Sequence, residues 1–308
     1  KFVLFFTTLR TLPKLPASAT GRSLRSATKT EPPEIEETVS KYFVAEILEP
    51  SKKQVKKRKS VEIKYEEPKK EKLETNSGKW MPTNWEATLA HVKEMRKNRT
   101  AAVDHMGCHT CADPNASAPV SRFQSLVALM LSSQTKDQVT YAAMERLKAH
   151  GCTPESVVDM SEDLLGKLIY PVGFWKRKAQ YIKRTSEILI KDYKSDIPGT
   201  IKGLCSLPGV GPKMGHICMQ VAWGETSGIG VDTHVHRICN RLGWVEKETK
   251  SPEATRGALE SWLPRDLWSE VNHLLVGFGQ EICTPRFPKC GECLNRGICP
   301  YAKGTRKD

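Results

Sequence analysis

Ile201-Lys202-Gly203-Leu204-Cys205-Ser206-Leu207-Pro208-Gly209-Val210-Gly211-Pro212-Lys213-Met214-Gly215-His216-Ile217-Cys218 is the stretch that decides the fold. Ile201, Leu204 and Cys205 have spacing i, i+3, i+4, and Met214, Ile217, Cys218 and Val221 repeat that pattern. Two amphipathic helices are therefore predicted on either side of a short turn. Gly209 and Gly211 permit positive φ and let backbone approach a ligand closely. Pro212 suits the first turn of the second helix, where its missing N–H costs nothing. The free amides of that helix start, at the positive end of its dipole, make an anion site. A tight turn that binds nothing competes with this reading, but flanking helices and a Pro at the helix start favour the anion site.

Lys213 lies one residue into the second helix. The positive end of a helix dipole disfavours a charged amine, and a neutral amine is a nucleophile able to form a Schiff base. A lysine paired with a phosphate fits the position equally well. Further on comes Val231-Asp232-Thr233-His234-Val235-His236-Arg237, preceded by Gly228 and Gly230. Val235, Ile238, Cys239 and Leu242 predict a helix there, with Asp232 at its start. Asp232 is either an N-cap or a carboxylate at the mouth of a cleft. His234 and His236 are two apart and point in different directions on a helix, which disfavours a shared metal.

The chain has 308 residues, with Lys+Arg 48 against Asp+Glu 35 and a formal charge of +13. That excess points to a polyanionic partner, nucleic acid first and an anionic membrane second. No apolar run approaches the ~20 residues of a membrane-spanning helix. The first thirty residues contain no Asp or Glu and carry Arg, Lys, Ser and Thr, in the manner of a mitochondrial transit peptide. Lys52, Lys53, Lys56, Lys57, Arg58 and Lys59 suit nuclear import or non-specific DNA contact, although basic runs are commonly just solvated. Residues 1–79 are read as a disordered basic tail. Beyond it, Asn84 offers an N-cap, and Trp85, Leu89, Val92 and Met95 recur at helical spacing. Phe123, Leu126, Val127 and Met130 form one apolar face, Leu164, Leu165 and Leu168 another, and Val271, Leu274, Leu275 and Phe278 a third. Sustained period-2 alternation is missing, so the ordered part reads as all-α.

Ten cysteines are unevenly placed, and four crowd the C-terminal region as Cys283-x6-Cys290-x2-Cys293-x5-Cys299. Four thiolates on one short loop fit tetrahedral zinc or an iron–sulfur cluster, and spacing alone does not choose. Arg286 and Lys289 lie inside the first interval, where a metal would hold them for phosphate contact. Cys108-x2-Cys111 lacks a partner pair and reads as incidental, while Cys205, Cys218 and Cys239 fall on apolar faces.

The Leu207-to-Gly215 hairpin, Lys213, the 231–237 run and the 6-2-5 cysteine spacing together resemble the endonuclease III family, in its eukaryotic form, from about Trp80 to Tyr301. The resemblance implies a helix-hairpin-helix DNA glycosylase with AP-lyase activity, removing oxidised pyrimidines such as thymine glycol and cutting the strand by β-elimination. It implies two helical domains flanking a DNA-binding cleft. Residues 116–226 would form a six-helix domain carrying the hairpin; 80–115 and 227–308 would form the cluster domain. Lys213 would be the nucleophile, Asp232 the catalytic carboxylate, and Cys283, Cys290, Cys293 and Cys299 the ligands of a [4Fe–4S] cluster. Leu131-Ser132-Ser133-Gln134-Thr135-Lys136-Asp137 resembles a family segment whose Gln enters the duplex, so Gln134 would take that role with Asp137 near the base pocket. Pro171-Val172-Gly173-Phe174 resembles a second inserting loop, with Phe174 as wedge and Lys176, Arg177 and Lys178 meeting phosphates. The implied partner is duplex DNA with oxidised pyrimidines or abasic sites, bound by a monomer in nucleus and mitochondrion, with downstream repair proteins as further partners and no membrane. An adenine glycosylase of the same superfamily shares the hairpin, the Asp and the cysteines, but lacks a lysine at position 213. A non-catalytic DNA-binding scaffold with structural zinc is the rival from another class.

Overall fold

A computed structural model describes residues 80–304. The expectations placed on residues 1–79, including disorder, targeting and the basic cluster, fall outside the described residues. The described residues are all-α, without a strand. The chain opens with α1 (Trp85–Met95) and α2 (Ala102–Met106). Then come α3 (Ala118–Ser132), α4 (Asp137–His150), α5 (Pro154–Asp159), α6 (Glu162–Ile169), α7 (Trp175–Tyr193), α8 (Ile201–Ser206) and α9 (Pro212–Trp223). It closes with α10 (Thr233–Leu242), α11 (Pro252–Glu260), α12 (Trp268–Glu281) and α13 (Pro300–Gly304). None of these helices is long and apolar enough to cross a membrane.

Two apolar cores organise these helices. The first centres on α3, around which α4, α7 and α9 pack. Spacing singles out Phe123, Leu126, Val127 and Met130, yet every residue from Phe123 to Leu131 is buried, Gln124 and Ser125 included. A helix apolar on nearly all sides is a central helix, and that is its place here. The second core joins the two ends of the described chain. Leu89 and Val92 of α1 pack with Val235 and Ile238 of α10, Trp262, and Leu275 and Phe278 of α12. Trp262 Nε1 also donates to the Trp244 carbonyl at 3.0 Å.

Polar contacts tie α1 to the far end of the chain. Asn295 is fully buried, its Oδ1 meets His91 Nδ1 at 2.9 Å, and its Nδ2 donates to the Thr88 carbonyl at 3.3 Å. Arg96, just after α1, donates to Asp104 and to Glu281 at 2.6 Å each. Burial alone would raise the Asp104 carboxyl, but hydrogen bonds from Arg96 and His273 hold it below its usual range. Asn84 does stand at the start of α1, but in a left-handed conformation at φ 60, and its side chain makes no cap. Thr88 Oγ1 instead donates to the Asn84 carbonyl at 2.8 Å.

His216 of α9 gives the fold a pH dependence. It is 1% exposed, with Nδ1 against Ser227 Oγ at 3.0 Å. Burial, helped by Arg256, pushes its pKa down from 6.5 to about 4. The unfolded chain therefore takes up this proton first, and stability is lost as pH falls from 6.5 through 4. The shift corresponds to roughly 3 kcal/mol. Urea unfolding at pH 7 and pH 4 is expected to show that extra loss for the native chain and not for His216→Gln. Equal losses would remove His216 as the cause.

Candidate active site

A cleft of about 1380 Å³ is lined by Lys213, Asp232, Asp137, His234, Gln134 and Gln280, among others. The hairpin between α8 and α9 supplies one wall. Gly209 is left-handed at φ +79, and a Cβ there would lie 2.5 Å from the Tyr181 ring, so this position demands glycine twice over. Gly211 does not take the positive φ its neighbour does. It is extended at φ −108, at the N-cap of α9, and a Cβ there would meet nothing within 4 Å. The space in front of the helix start is thus open, and no side chain caps it. Pro212 occupies the first turn, as its chemistry predicts.

Lys213, the second residue of α9, is half-buried and faces the cleft. Its amine has no hydrogen bond or ion pair among the described residues. Asp232 is the N-cap of α10, its Oδ1 accepting from Val235 N at 2.8 Å, and it also lines the cleft. Both readings of this residue therefore hold together. Asp137 opens α4; its Oδ2 accepts from Gln280 Nε2 at 2.7 Å, and Gln280 Oε1 accepts from Val103 N at 3.0 Å. Burial raises the Asp137 carboxyl, partly offset by Gln280, His234 and Lys213, while Asp232 adds to the rise. Lys213, Asp232 and Asp137 thus share one electrostatic neighbourhood. His234 belongs to the same cleft, whereas His236 turns away to Thr255 Oγ1 at 2.7 Å.

Two loops stand at the surface beside this cleft. Gln134, between α3 and α4, is exposed and left-handed at φ 49. Phe174, at the start of α7, is 64% exposed and left-handed at φ 56. A large apolar side chain so placed is not core. Lys176 and Arg177 are exposed, as a phosphate contact requires. Lys178 is not. It is 6% exposed, and its Nζ donates to the Leu131 carbonyl at 2.7 Å, the Ser133 carbonyl at 2.6 Å and Thr135 Oγ1 at 3.3 Å. The helical register turns position 178 inward, which corrects its expected place among the phosphate contacts.

Cys283, Cys290, Cys293 and Cys299 line one small cavity of about 20 Å³, together with Leu242, Phe278 and Ile282. The thiols of Cys293 and Cys299 each sense Cys283 and Cys290, so the four are close neighbours. Among the described residues no three His, Cys, Asp or Glu side chains are grouped as a single metal ion would need. Arg237 and Arg241 of α10 organise this loop. Arg237 donates to the Cys283 carbonyl at 2.9 Å, and Arg241 to the Thr284 and Pro285 carbonyls at 2.8 and 3.0 Å. Arg286 and Lys289 project exposed from the same loop. All ten cysteines are free. Cys111 is core, its thiol pushed up by burial to about 12, while Cys108 beside it borders the cleft. Sequence reasoning missed Gln280, Arg237 and Arg241; the i, i+4 spacing of the two arginines on α10 was the available signal.

The family described as HhH-GPD superfamily base excision DNA repair protein matches residues 127–265, which include Gln134, Lys213 and Asp232. Over 244 residues the chain is 58% identical to endonuclease III-like protein 1 of Gallus gallus, covering 79% of this chain and 86% of that protein. This chain belongs to the endonuclease III family. Endonuclease III-like protein 1 of Bos taurus is likewise 58% identical, covering 73% of this chain and 74% of the relative. Among solved structures, an endonuclease III trapped with DNA as a covalent intermediate matches with a TM-score of 0.61 at 26% identity, over 71% of this chain and 95% of that one. The all-α reading of the helical spacing and the endonuclease III fold implied by the resemblance are therefore both found, and the protein is a DNA glycosylase of base excision repair.

Proposed function

We propose that this endonuclease III homologue removes oxidised pyrimidines from duplex DNA through a Schiff base on Lys213 and then cuts the strand. One observation carries the reading: a lysine amine without a partner of its own faces the same cleft as Asp232, at an uncapped helix start. A damaged base must leave the stack to be reached, at a cost of a few kcal/mol, and poorly stacking lesions cost less. Gln134 and Phe174 stand exposed where they would fill the space it vacates. The amides at the start of α9, with Gly211 leaving room in front of them, suit a backbone phosphate. Gly209 shapes that approach, and Lys176, Arg286 and Lys289 add positive charge on the surface.

Chemically, neutral Lys213 Nζ attacks the sugar C1′. The C1′–N bond breaks, and the base departs with the bonding pair and takes up a proton. Asp232 accepts the proton that Nζ sheds and offsets the positive charge developing on the sugar. Ring opening gives an iminium, which acidifies the C2′–H. Loss of that proton drives out the 3′ phosphate by cleavage of C3′–O. Asp137, which lines the same cleft and whose carboxyl feels Lys213, would border the pocket of the extruded base. Borohydride reduction during turnover tests the scheme: a stable covalent enzyme–DNA adduct is expected, and its absence would reject the lysine.

Cys283, Cys290, Cys293 and Cys299 fit a [4Fe–4S] cluster, because all four thiols line one cavity and four thiolates are the donor set such a cluster takes. Such a cluster, when bound, would brace the 283–299 loop and keep Arg286 and Lys289 in place rather than touch the sugar. Cys290→Ser is expected to lower iron content and weaken duplex binding about tenfold or more, while single-turnover chemistry at saturating enzyme changes much less. Normal iron content with full binding would contradict the assignment. We also infer action in nucleus and mitochondrion, on the composition of residues 1–79, and a monomer, on the family resemblance.

A further inference from the structure

Lys178 is a buried charge that the proposed chemistry does not use. It sits in the first turn of α7 on the buried stripe that continues through Ile182, Thr185, Ser186 and Leu189. Among the described residues no carboxylate pairs with it. An ammonium has three protons, and Lys178 aims all three at oxygens of one segment: the Leu131 carbonyl, the Ser133 carbonyl and Thr135 Oγ1. Those atoms are the end of α3 and the turn that carries Gln134. Burial pushes the amine down from 10.5 to about 8, so this charge opposes folding and is not there for stability alone.

The same anchor reaches the second loop. Thr135 Oγ1 accepts from Gly173 N at 3.1 Å as well as from Lys178. A Cβ on Gly173 would come 2.6 Å from the Gln134 carbonyl, so the two turns touch backbone to backbone. On either side of this junction stand Gln134 and Phe174, both non-glycine residues in the left-handed region. Such conformations are unfavourable for residues with a side chain and persist only where the surroundings over-determine them.

We propose that Lys178 is a positioning residue that locks the Gln134 turn and the Phe174 turn into one rigid wedge for entry into the duplex. The proposal rests on the reading of Gln134 and Phe174 as intruding side chains. A direct phosphate contact does not compete with it, since the amine is buried and its protons are spent. With the wedge intact, opening a paired site is matched by two side chains that arrive together in fixed geometry. With the anchor gone, each turn can relax out of its left-handed conformation, and the gap is filled late or not at all.

The test uses the full chain with its metal content verified. Lys178→Met keeps the length and removes the donors. Single-turnover base release is measured on a duplex with thymine glycol opposite adenine, and on the same lesion inside a short mismatched bubble that is already open. Misplacement of about an ångström can cost a hundredfold, so the variant is expected to lose roughly ten- to a hundredfold on the paired lesion and about threefold or less in the bubble. Fluorescence of 2-aminopurine beside the lesion is expected to rise more slowly by the same factor. Gln134→Ala and Phe174→Ala serve as references. If they slow the paired substrate and Lys178→Met does not, Lys178 has no positioning role. If they too have no effect, the intrusion reading itself fails. Equal loss on both substrates would make Lys178 merely structural and overturn the proposal. Should Lys178→Met not fold, Thr135→Val removes the hydroxyl shared by both turns and is expected to give the same substrate contrast, at smaller size; no contrast there overturns it.

Discussion

Lys213→Ala is expected to abolish base release and strand scission together, by at least about a thousandfold, because one nitrogen serves both steps. Borohydride is expected to trap no adduct. Binding to a duplex with an uncleavable abasic analogue is expected to stay within about threefold, since the phosphate contacts attributed to the amides of α9 and to Lys176, Arg286 and Lys289 do not include this amine. The structure makes the substitution clean. Lys213 holds no hydrogen bond or ion pair within the described chain, so its loss leaves no buried partner stranded. Alanine is also the best helix former, so α9 keeps its first turn. Retained strand cleavage would reassign the nucleophile, and a large loss of binding would make Lys213 a phosphate contact instead.

Asp232→Asn separates two roles that this carboxylate holds at once. Asn is as good an N-cap as Asp, so the bond from Val235 N survives and α10 keeps its start. What disappears is the negative charge and the proton acceptor. Base release is expected to slow by about 10²–10⁴-fold, the range typical of general acid–base groups, with the melting temperature nearly unchanged. Asp232→Ala is expected to add a loss of about 1 kcal/mol in stability for the missing cap. If the Asn variant kept near-native rates, Asp232 would be a cap and nothing more.

The fold was largely legible in the sequence because apolar spacing is dictated by the helix itself. The faces on α1, α10 and α12 and the position of Pro212 follow from it directly. What escaped was set by tertiary packing. Gly211 reads like Gly209, but only Gly209 meets a ring where a Cβ would go. Lys176-Arg177-Lys178 reads as a run of phosphate contacts, yet residue 178 shares a stripe with Ile182 and Leu189, and that register was the missed signal. Lys213 and Asp232 were legible as chemistry, a helix-start amine and a helix-start carboxylate, but their meeting in one cleft needed the packing of α9 and α10. Asp137 is held through Gln280, a residue 143 positions away that no local pattern links to it.

The seam between Asn295 and α1 has a consequence for biosynthesis. His91 and its partner are 204 residues apart. At 5–20 residues per second, a ribosome needs roughly 10 to 40 s to travel between them. Throughout that interval Leu89 and Val92 have no finished surface to rest on, while the helices from α3 to α9 can already close around one another. The nascent chain can therefore close its hairpin half first, and it carries an unfinished apolar ridge on α1 until Asn295 has been made.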